Sequence, residues 1–105
     1  MSPVEKTPQN FTETQGPAKG LVAFDVAIKE KAFLRYVIGS IKNTSEHRFS
    51  YLTVKIDLLD GIGKLVGNVG SGIENFERGQ TWNFEAGILN GEAVAARISQ
   101  IRGWL

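Results

Sequence analysis

The chain has 105 residues, of which 42% are hydrophobic and 22% charged, and its formal net charge is +1. This length and composition predict one folded domain, and the near-zero charge argues against a surface built to attract nucleic acid or an anionic membrane. The sequence contains no cysteine, which excludes disulfides, a thiol nucleophile and zinc sites built on thiolates.

Residues 1–20 predict a flexible N-terminal lead. They hold all three prolines and few large apolar side chains, with Phe11 as the one residue suited to docking. A segment that buries so little apolar surface does not offset the entropy cost of ordering. These polar residues do not resemble a signal peptide. Two interpretations stay open: a cytoplasmic protein, or a fragment of an extracytoplasmic or membrane-anchored protein whose leader or anchor lies outside this chain.

The folded domain is predicted to span residues 21–105 and to open with a strand from Leu21 to Glu30. Apolar side chains recur there at every second position, which is typical of a strand with one buried face. The alternating apolar residues are Val22, Phe24, Val26 and Ile28. We expect Glu30-Lys31 to form a tight turn into the next strand.

Two central strands are predicted between Tyr36 and Asp60. The buried sets are Val37, Gly39 and Ile41 in the first, and Leu52, Val54, Ile56 and Leu58 in the second. Short polar side chains in residues 43–48 predict the turn between them. Asp60-Gly61-Ile62-Gly63 is then expected to form a hairpin loop, because Asp and Gly tolerate positive φ.

The remaining segments alternate between strands and turns. Residues 64–71 predict an edge strand because they are rich in glycine, and residues 77–80 and 90–92 predict turns on either side of a strand at 81–87. Residues 93–103 fit a last strand with Val94, Ala96 and Ile98 on one face, while their alanines also fit a short helix. Six or seven short strands predict an all-β antiparallel sandwich or small barrel.

Four segments resemble the FxLYD domain family in order and spacing, across about residues 35–86. They are Val37-x-Gly39-x-Ile41-x-Asn43-Thr44-Ser45, Ile56-x-Leu58-Leu59-Asp60, Gly63-Lys64-Leu65-Val66-Gly67 and Arg78-Gly79-Gln80-Thr81-Trp82-x-Phe84. Ile56 and Leu59 replace the Phe and Tyr of the name-giving motif, and Arg78 stands where members often have Pro. The resemblance implies an immunoglobulin-like fold in bacterial or archaeal proteins that are secreted or anchored, with no catalytic residues to carry over.

Each resembling residue also has a structural role that we expect. Gly39 is expected to leave room for a facing aromatic ring, with Trp82 as the candidate, and Trp82 and Phe84 are expected to supply core area. Asn43 is expected to satisfy backbone groups where its strand turns, and Asp60 to accept a backbone N–H in the hairpin loop.

The reactive side chains do not form a recognisable catalytic or metal-binding pattern. His47 is the only histidine and is expected to be an exposed turn residue, since a metal site or general base needs convergent partners. Gly61-Ile62-Gly63-Lys64 lacks the remaining positions of a phosphate-binding loop, because Leu58 and Leu65 stand where Gly and Ser or Thr are required. We therefore expect no enzyme activity and no cofactor.

The sequence favours a non-catalytic interaction or spacer module with an unknown protein partner, either monomeric or a weak homodimer. Membrane attachment is expected through an anchor outside this chain, if at all. The candidate contacts are an open sheet edge, the end loops and the last tryptophan. We expect this tryptophan either to tuck into the sandwich or to form a docking patch. The candidate residues are Asn43, His47, Arg48, Lys64, Val66, Asn68 and Trp104. The alternative is a barrel of the OB type that stacks single-stranded nucleic acid on its tyrosines.

Overall fold

The computed structural model describes residues 11–12 and 19–105. In these ranges the chain forms seven strands and no helix: β1 (Phe11–Thr12), β2 (Leu21–Lys31), β3 (Leu34–Asn43), β4 (Phe49–Leu59), β5 (Leu65–Phe76), β6 (Thr81–Ile88) and β7 (Ala95–Trp104). They build two antiparallel sheets, in the orders β1-β2-β3-β6 and β5-β4-β7. The predicted all-β sandwich is confirmed, and the last element is a strand rather than a helix.

The predicted lead falls largely on residues 1–10 and 13–18, which lie outside the described ranges, as does the Phe11 side chain. The backbone of Phe11 and Thr12 pairs with Ala23 and Val22 at the start of β2. The division of the chain at residue 20 otherwise stays a prediction.

The connections place the turns at two opposite ends of the sandwich. β2–β3 and β4–β5 are hairpins, whereas the chain crosses between sheets after β3, β5 and β6, so that β6 returns beside β3 and β7 beside β4. The Asn43 end carries residues 44–48 and 77–80. The Ile62 end carries residues 32–33, 60–64 and 89–94. Loops gathered at the ends of a sandwich are the usual sites of recognition, because the sheets hold them in place.

The core consists of side chains that point between the two sheets. The inward sets predicted for β3 and β4 are confirmed, and Phe49, Phe76 and Phe84 fill the space around them. The set predicted for β2 is wrong in its first half, because Leu21 and Ala23 are buried instead of Val22 and Phe24. A β-bulge between Phe24 and Ala27, with Asp25 at φ 58°, inserts one residue and reverses the alternation.

Two element boundaries differ from expectation. The first hairpin turns at Ala32-Phe33 and not at Glu30-Lys31, since β2 continues to Lys31, which pairs with Leu34. Both turn residues have positive φ, 52° and 68°, as the two central residues of a type I′ hairpin turn do. At the other boundary Val94 is exposed because β7 begins one residue later, and the inward set is Ala96, Ile98 and Ile101.

Gly39 admits the ring of Phe84, not that of Trp82 as expected. The two residues pair directly across β3 and β6, and a Cβ on Gly39 would lie 2.5 Å from Cζ of Phe84. Trp82 pairs with Ile41, is half-buried, and packs against Phe84 at a ring-centroid distance of 5.7 Å. The glycine therefore lets a fully buried ring lie against the sheet, with Trp82 covering it.

We expect Gly39→Ala to lower the free energy of unfolding by about 1–3 kcal/mol, because the added methyl group overpacks against a ring with no room to move. Gly87→Ala is the matched control in β6: a Cβ there meets nothing within 4 Å, so its effect should stay within about 0.5 kcal/mol. Urea titration of both variants measures the difference. Equal stability of the two would show that the Gly39 contact is not tight.

Candidate interaction surfaces

The fold separates the seven candidate contact residues into two groups at opposite ends of the sandwich. Asn43, His47 and Arg48 lie at the Asn43 end, whereas Lys64, Val66 and Asn68 lie in the Ile62-end half of β5 and the loop before it. Trp104 lies at the end of β7, near the Asn43 end. They do not form one site.

Asn43 is fully buried and joins the segments that cross between the sheets. Its Nδ2 donates to the carbonyl oxygens of His47 (2.8 Å) and Glu77 (3.2 Å), and its Oδ1 accepts from the backbone N–H of Ser45 (3.0 Å). Its backbone N–H donates to the Gln80 carbonyl at 3.0 Å. The predicted role in satisfying backbone groups is confirmed. Because its polar atoms are used internally, Asn43 is not available to a partner.

His47 and Arg48 are exposed, as expected for this turn. The Arg48 guanidinium donates to Glu77 Oε2 and to Asn75 Oδ1, each at 2.8 Å. These contacts connect the 44–48 turn to the end of β5. Among residues 11–12 and 19–105, no three side chains of His, Asp or Glu are grouped so as to hold a metal ion.

A shallow open depression lies beside this turn. Its lining residues come from the end of β3 and from the β5–β6 turn, and they are Lys42, Asn43, Thr44, Ser45, Arg78 and Gly79. Thr44 Oγ1 and its backbone N–H are already bound to the Gly20 carbonyl. The depression offers two exposed cations on an otherwise internally bonded surface.

The Asp60 side chain bonds the backbone of its own loop, and the residues that follow differ in their exposure to solvent. Asp60 Oδ1 accepts from the backbone N–H groups of Ile62 (3.1 Å) and Lys64 (2.8 Å), which confirms the predicted role of Asp60. Lys64 is exposed. Val66 instead packs against the core, and its carbonyl accepts from Asn90 Nδ2 at 2.7 Å. Val66 therefore supports the fold rather than a contact surface.

The glycine-rich segment forms an edge, as predicted. β5 lies at one side of the three-stranded sheet and continues to Phe76, five residues beyond the expected end. Asn68 is exposed on its outer face, opposite Asp57 of β4.

Trp104 lies on the outer face of the three-stranded sheet and does not tuck into the sandwich. It pairs directly with Tyr51 of β4, with ring centroids 5.8 Å apart, and the two residues are 43% and 42% exposed. Arg102 Cζ lies 5.3 Å from the centroid of the Trp104 ring, in a cation–π contact. We call Tyr51, Arg102 and Trp104 the aromatic platform.

Tyr51 was expected as a contact only in the nucleic-acid alternative, and Arg102 was not among the predicted contacts. Tyr51 belongs to the outward set of β4, so the alternation placed it on the surface, but the strand that pairs with it across the sheet was not evident from sequence. Gly72 of β5 leaves the space that the tyrosine ring occupies, since a Cβ there would lie 2.5 Å from its hydroxyl oxygen.

A second surface that the sequence interpretation missed is the Ile62 end. Its three turns each carry an apolar side chain that is almost wholly exposed: Phe33 (98%), Ile62 (88%) and Leu89 (99%). Arg35 braces this end by donating to the carbonyl oxygens of Ala93 (2.5 Å) and Asn90 (2.9 Å). Ile62 offered a signal, because it is an apolar residue within the predicted turn at residues 60–63 and turns normally carry polar residues. Phe33 and Leu89 lay outside the predicted turns.

Comparison of the chain with protein-family models, curated proteins and solved structures finds no significant match. Within residues 11–12 and 19–105 there is no helix of the length and apolarity needed to cross a bilayer.

We expect Asn43→Asp to lower the free energy of unfolding at neutral pH by about 1–3 kcal/mol, because a buried carboxylate oxygen would face the carbonyl oxygens of His47 and Glu77. Protonation restores a donor, so the deficit relative to the wild type should shrink as pH falls from neutral towards 4. Urea titrations across this pH range measure it. Asn75→Asp, at an exposed position, should show no comparable pH-dependent deficit.

Proposed function

We propose that this chain is a non-catalytic interaction module that binds a protein partner on the outer face of its three-stranded sheet. The observation that carries the proposal is the aromatic platform. Tyr51 and Trp104 are both more than 40% exposed although they are large rings in direct cross-strand contact, and Arg102 lies against Trp104. Trp, Tyr and Arg are the residue types most enriched at the energetic centres of protein interfaces.

The platform is held in place before any partner binds. Tyr51 and Trp104 belong to adjacent hydrogen-bonded strands, and Ser50 Oγ donates to the Trp104 carbonyl at 3.1 Å. The space above Gly72 fixes the position of the tyrosine ring. Side chains that are already ordered lose little conformational entropy on binding, so more of the contact energy remains as affinity.

The rest of this face is polar and nearly balanced in charge, which suits a protein more than a polyanion. Lys55 and Arg97 project near Asp57, and the Arg97 guanidinium lies 3.5 Å from the Asp57 carboxylate. The platform lies at the Asn43 end of this face, and aromatic residues beside polar side chains are common in protein interfaces.

The family and the compartment are part of the proposal. We propose that the domain is immunoglobulin-like, of the FxLYD type, and comes from an extracytoplasmic bacterial protein; this rests on the resemblance described above. Three of the resembling residues have structural roles in the fold. Gly39 leaves room for the Phe84 ring, Asn43 bonds the segments that cross between the sheets, and Asp60 accepts backbone hydrogen bonds in the hairpin loop. An alkaline phosphatase reporter fused to the full gene product should be active if the domain is exported, and inactive if it is cytoplasmic.

A second candidate function, binding of single-stranded nucleic acid, is favoured by the same rings, since bases stack on Tyr and Trp beside Arg. It predicts binding to a labelled oligothymidylate at low salt that weakens steeply as salt rises. Fluorescence anisotropy measures this. No binding at low salt would remove the candidate.

The test of the protein-binding proposal is quantitative affinity capture from extracts of the producing cells. We expect wild-type chain to enrich a partner that the Tyr51→Ala/Trp104→Ala variant loses by at least about tenfold, as the removal of interface anchors requires. A Phe33→Ser/Leu89→Ser variant, altered at the opposite end, should retain capture. Identical capture by all three proteins would contradict a docking role for the platform. Circular dichroism confirms that each variant is folded.

A further inference from the structure

The Ile62 end gathers most of the large apolar side chains that the domain exposes. Among the described residues nine such side chains are exposed, and six of them belong to the three turns of this end or lie beside them. The turns of the opposite end, residues 44–48 and 77–80, contain no apolar side chain. Exposed apolar residues are therefore a property of this end and not of the turns in general. The six are Phe33, Leu34, Ile62, Leu65, Leu89 and Val94.

Phe33 is held in a strained backbone conformation although its side chain makes almost no contact within the domain. Its φ is 68°, a region that bulky residues rarely adopt, and the side chain is 98% exposed. Asn or Gly would fit this position of the hairpin turn with less strain. Strained residues are found where the conformation serves a function. Because the ring does not stabilise the fold, we look for its role in a contact outside the chain.

The three turns are joined to one another by hydrogen bonds, so their exposed side chains stay at one end. Arg35, two residues after Phe33, donates to the carbonyl oxygen of Asn90 at 2.9 Å. Asn90 Nδ2 in turn donates to the carbonyl oxygen of Val66 at 2.7 Å, four residues after Ile62. The turn at residues 89–94 thus bonds to both hairpins. We call Phe33, Ile62 and Leu89 the three tips.

We propose that the three tips insert into the interfacial region of a phospholipid bilayer, so that the domain binds a membrane surface through its Ile62 end. The tips are 88–99% exposed, which means that they do not cover one another and do not form a continuous patch. A protein partner would have to supply a separate pocket for each tip. A bilayer needs no such match, because its fluid acyl chains accommodate apolar side chains in any arrangement.

The charges beside the tips suit the headgroup layer. Lys31 and Lys64 are exposed, and each lies two positions from a tip residue. Their long side chains keep the ammonium groups at the level of the lipid phosphates while the tips enter the apolar region. Glu30 and Glu92 are exposed as well, so this end has no strong positive field. Insertion of apolar side chains, and not attraction to anionic lipid, therefore supplies most of the affinity.

The inference goes beyond the proposed function and does not rest on it. It places a membrane contact within the chain, where the sequence interpretation expected one only from an anchor outside it. The aromatic platform lies near the Asn43 end, so insertion of the Ile62 end leaves the platform accessible to a partner.

A fluorophore at one tip tests the proposal directly. The chain has no cysteine, so Ile62→Cys can carry a single environment-sensitive label, with Glu46→Cys in the opposite turns as the control. On addition of phosphatidylcholine vesicles we expect the label at position 62 to brighten and shift to shorter wavelength, while the label at position 46 does not change. The response should persist as salt rises, because screening weakens only the electrostatic part of the attraction.

Phe33→Gly separates binding from folding. Its affinity for phosphatidylcholine vesicles, measured by co-sedimentation, should fall at least about tenfold, as the loss of a buried aromatic ring requires. Its free energy of unfolding should not fall, because glycine adopts positive φ without strain. Leu105→Ser is the matched control: it removes an apolar side chain that is 65% exposed but lies beyond β7, away from the tips, and it should leave binding unchanged.

Four results would overturn the proposal. The first is a wild-type chain that does not bind phosphatidylcholine vesicles, and the second is binding that Phe33→Gly leaves intact. The third is binding that needs anionic lipid and disappears as salt rises. The fourth is a signal from the label at position 62 that appears without vesicles and grows with protein concentration, since it would assign the tips to contact between two copies of the chain.

Discussion

The buried amide of Asn43 is the interaction on which this sandwich depends. It lies where β3 leaves one sheet and the chain enters the other, and it donates to carbonyl oxygens of both the 44–48 turn and the β5–β6 turn. Two of the three segments that cross between the sheets are therefore held by one side chain. A hydrogen bond inside the protein is strong because water does not compete for it, and an unpaired carbonyl there would be costly.

The polar side chains fall into two sets: those that bond turn backbone and those that are exposed to solvent. The side chains of Asn43, Asp60, Asn90 and Arg35 form hydrogen bonds with backbone groups of the turns. The exposed residues that carry the proposed interaction lie on the outer sheet face, and further exposed apolar side chains lie at the turn tips of the Ile62 end. Exposed rings of this kind support the proposed contact with a protein partner.

Strand alternation predicted much of the fold and part of the candidate surface. The inward sets of β3 and β4 were correct because both strands run without interruption past the core. In β2 the same rule failed at Asp25, where a bulge inserts a residue, and bulges leave little trace in a single sequence. The first turn was misplaced because Ala32 and Phe33 adopt positive φ, which these residue types rarely do. Trp104 was identified as a candidate contact, whereas Tyr51 was considered only for the nucleic-acid alternative and Arg102 was not considered.

By itself the sequence determined the strand content, the edge character of β5 and the roles of Asn43 and Asp60, since these follow from side-chain period, glycine content and local hydrogen bonding. The tertiary structure decided which strands are neighbours. It placed Phe84 rather than Trp82 over Gly39, paired Tyr51 with Trp104 and gathered three apolar turn tips at one end. The physical reason is that cross-strand pairing joins residues far apart in the sequence, such as Tyr51 and Trp104, which are 53 positions apart. The register of each pair of strands also depends on bulges and on the packing of both sheets at once.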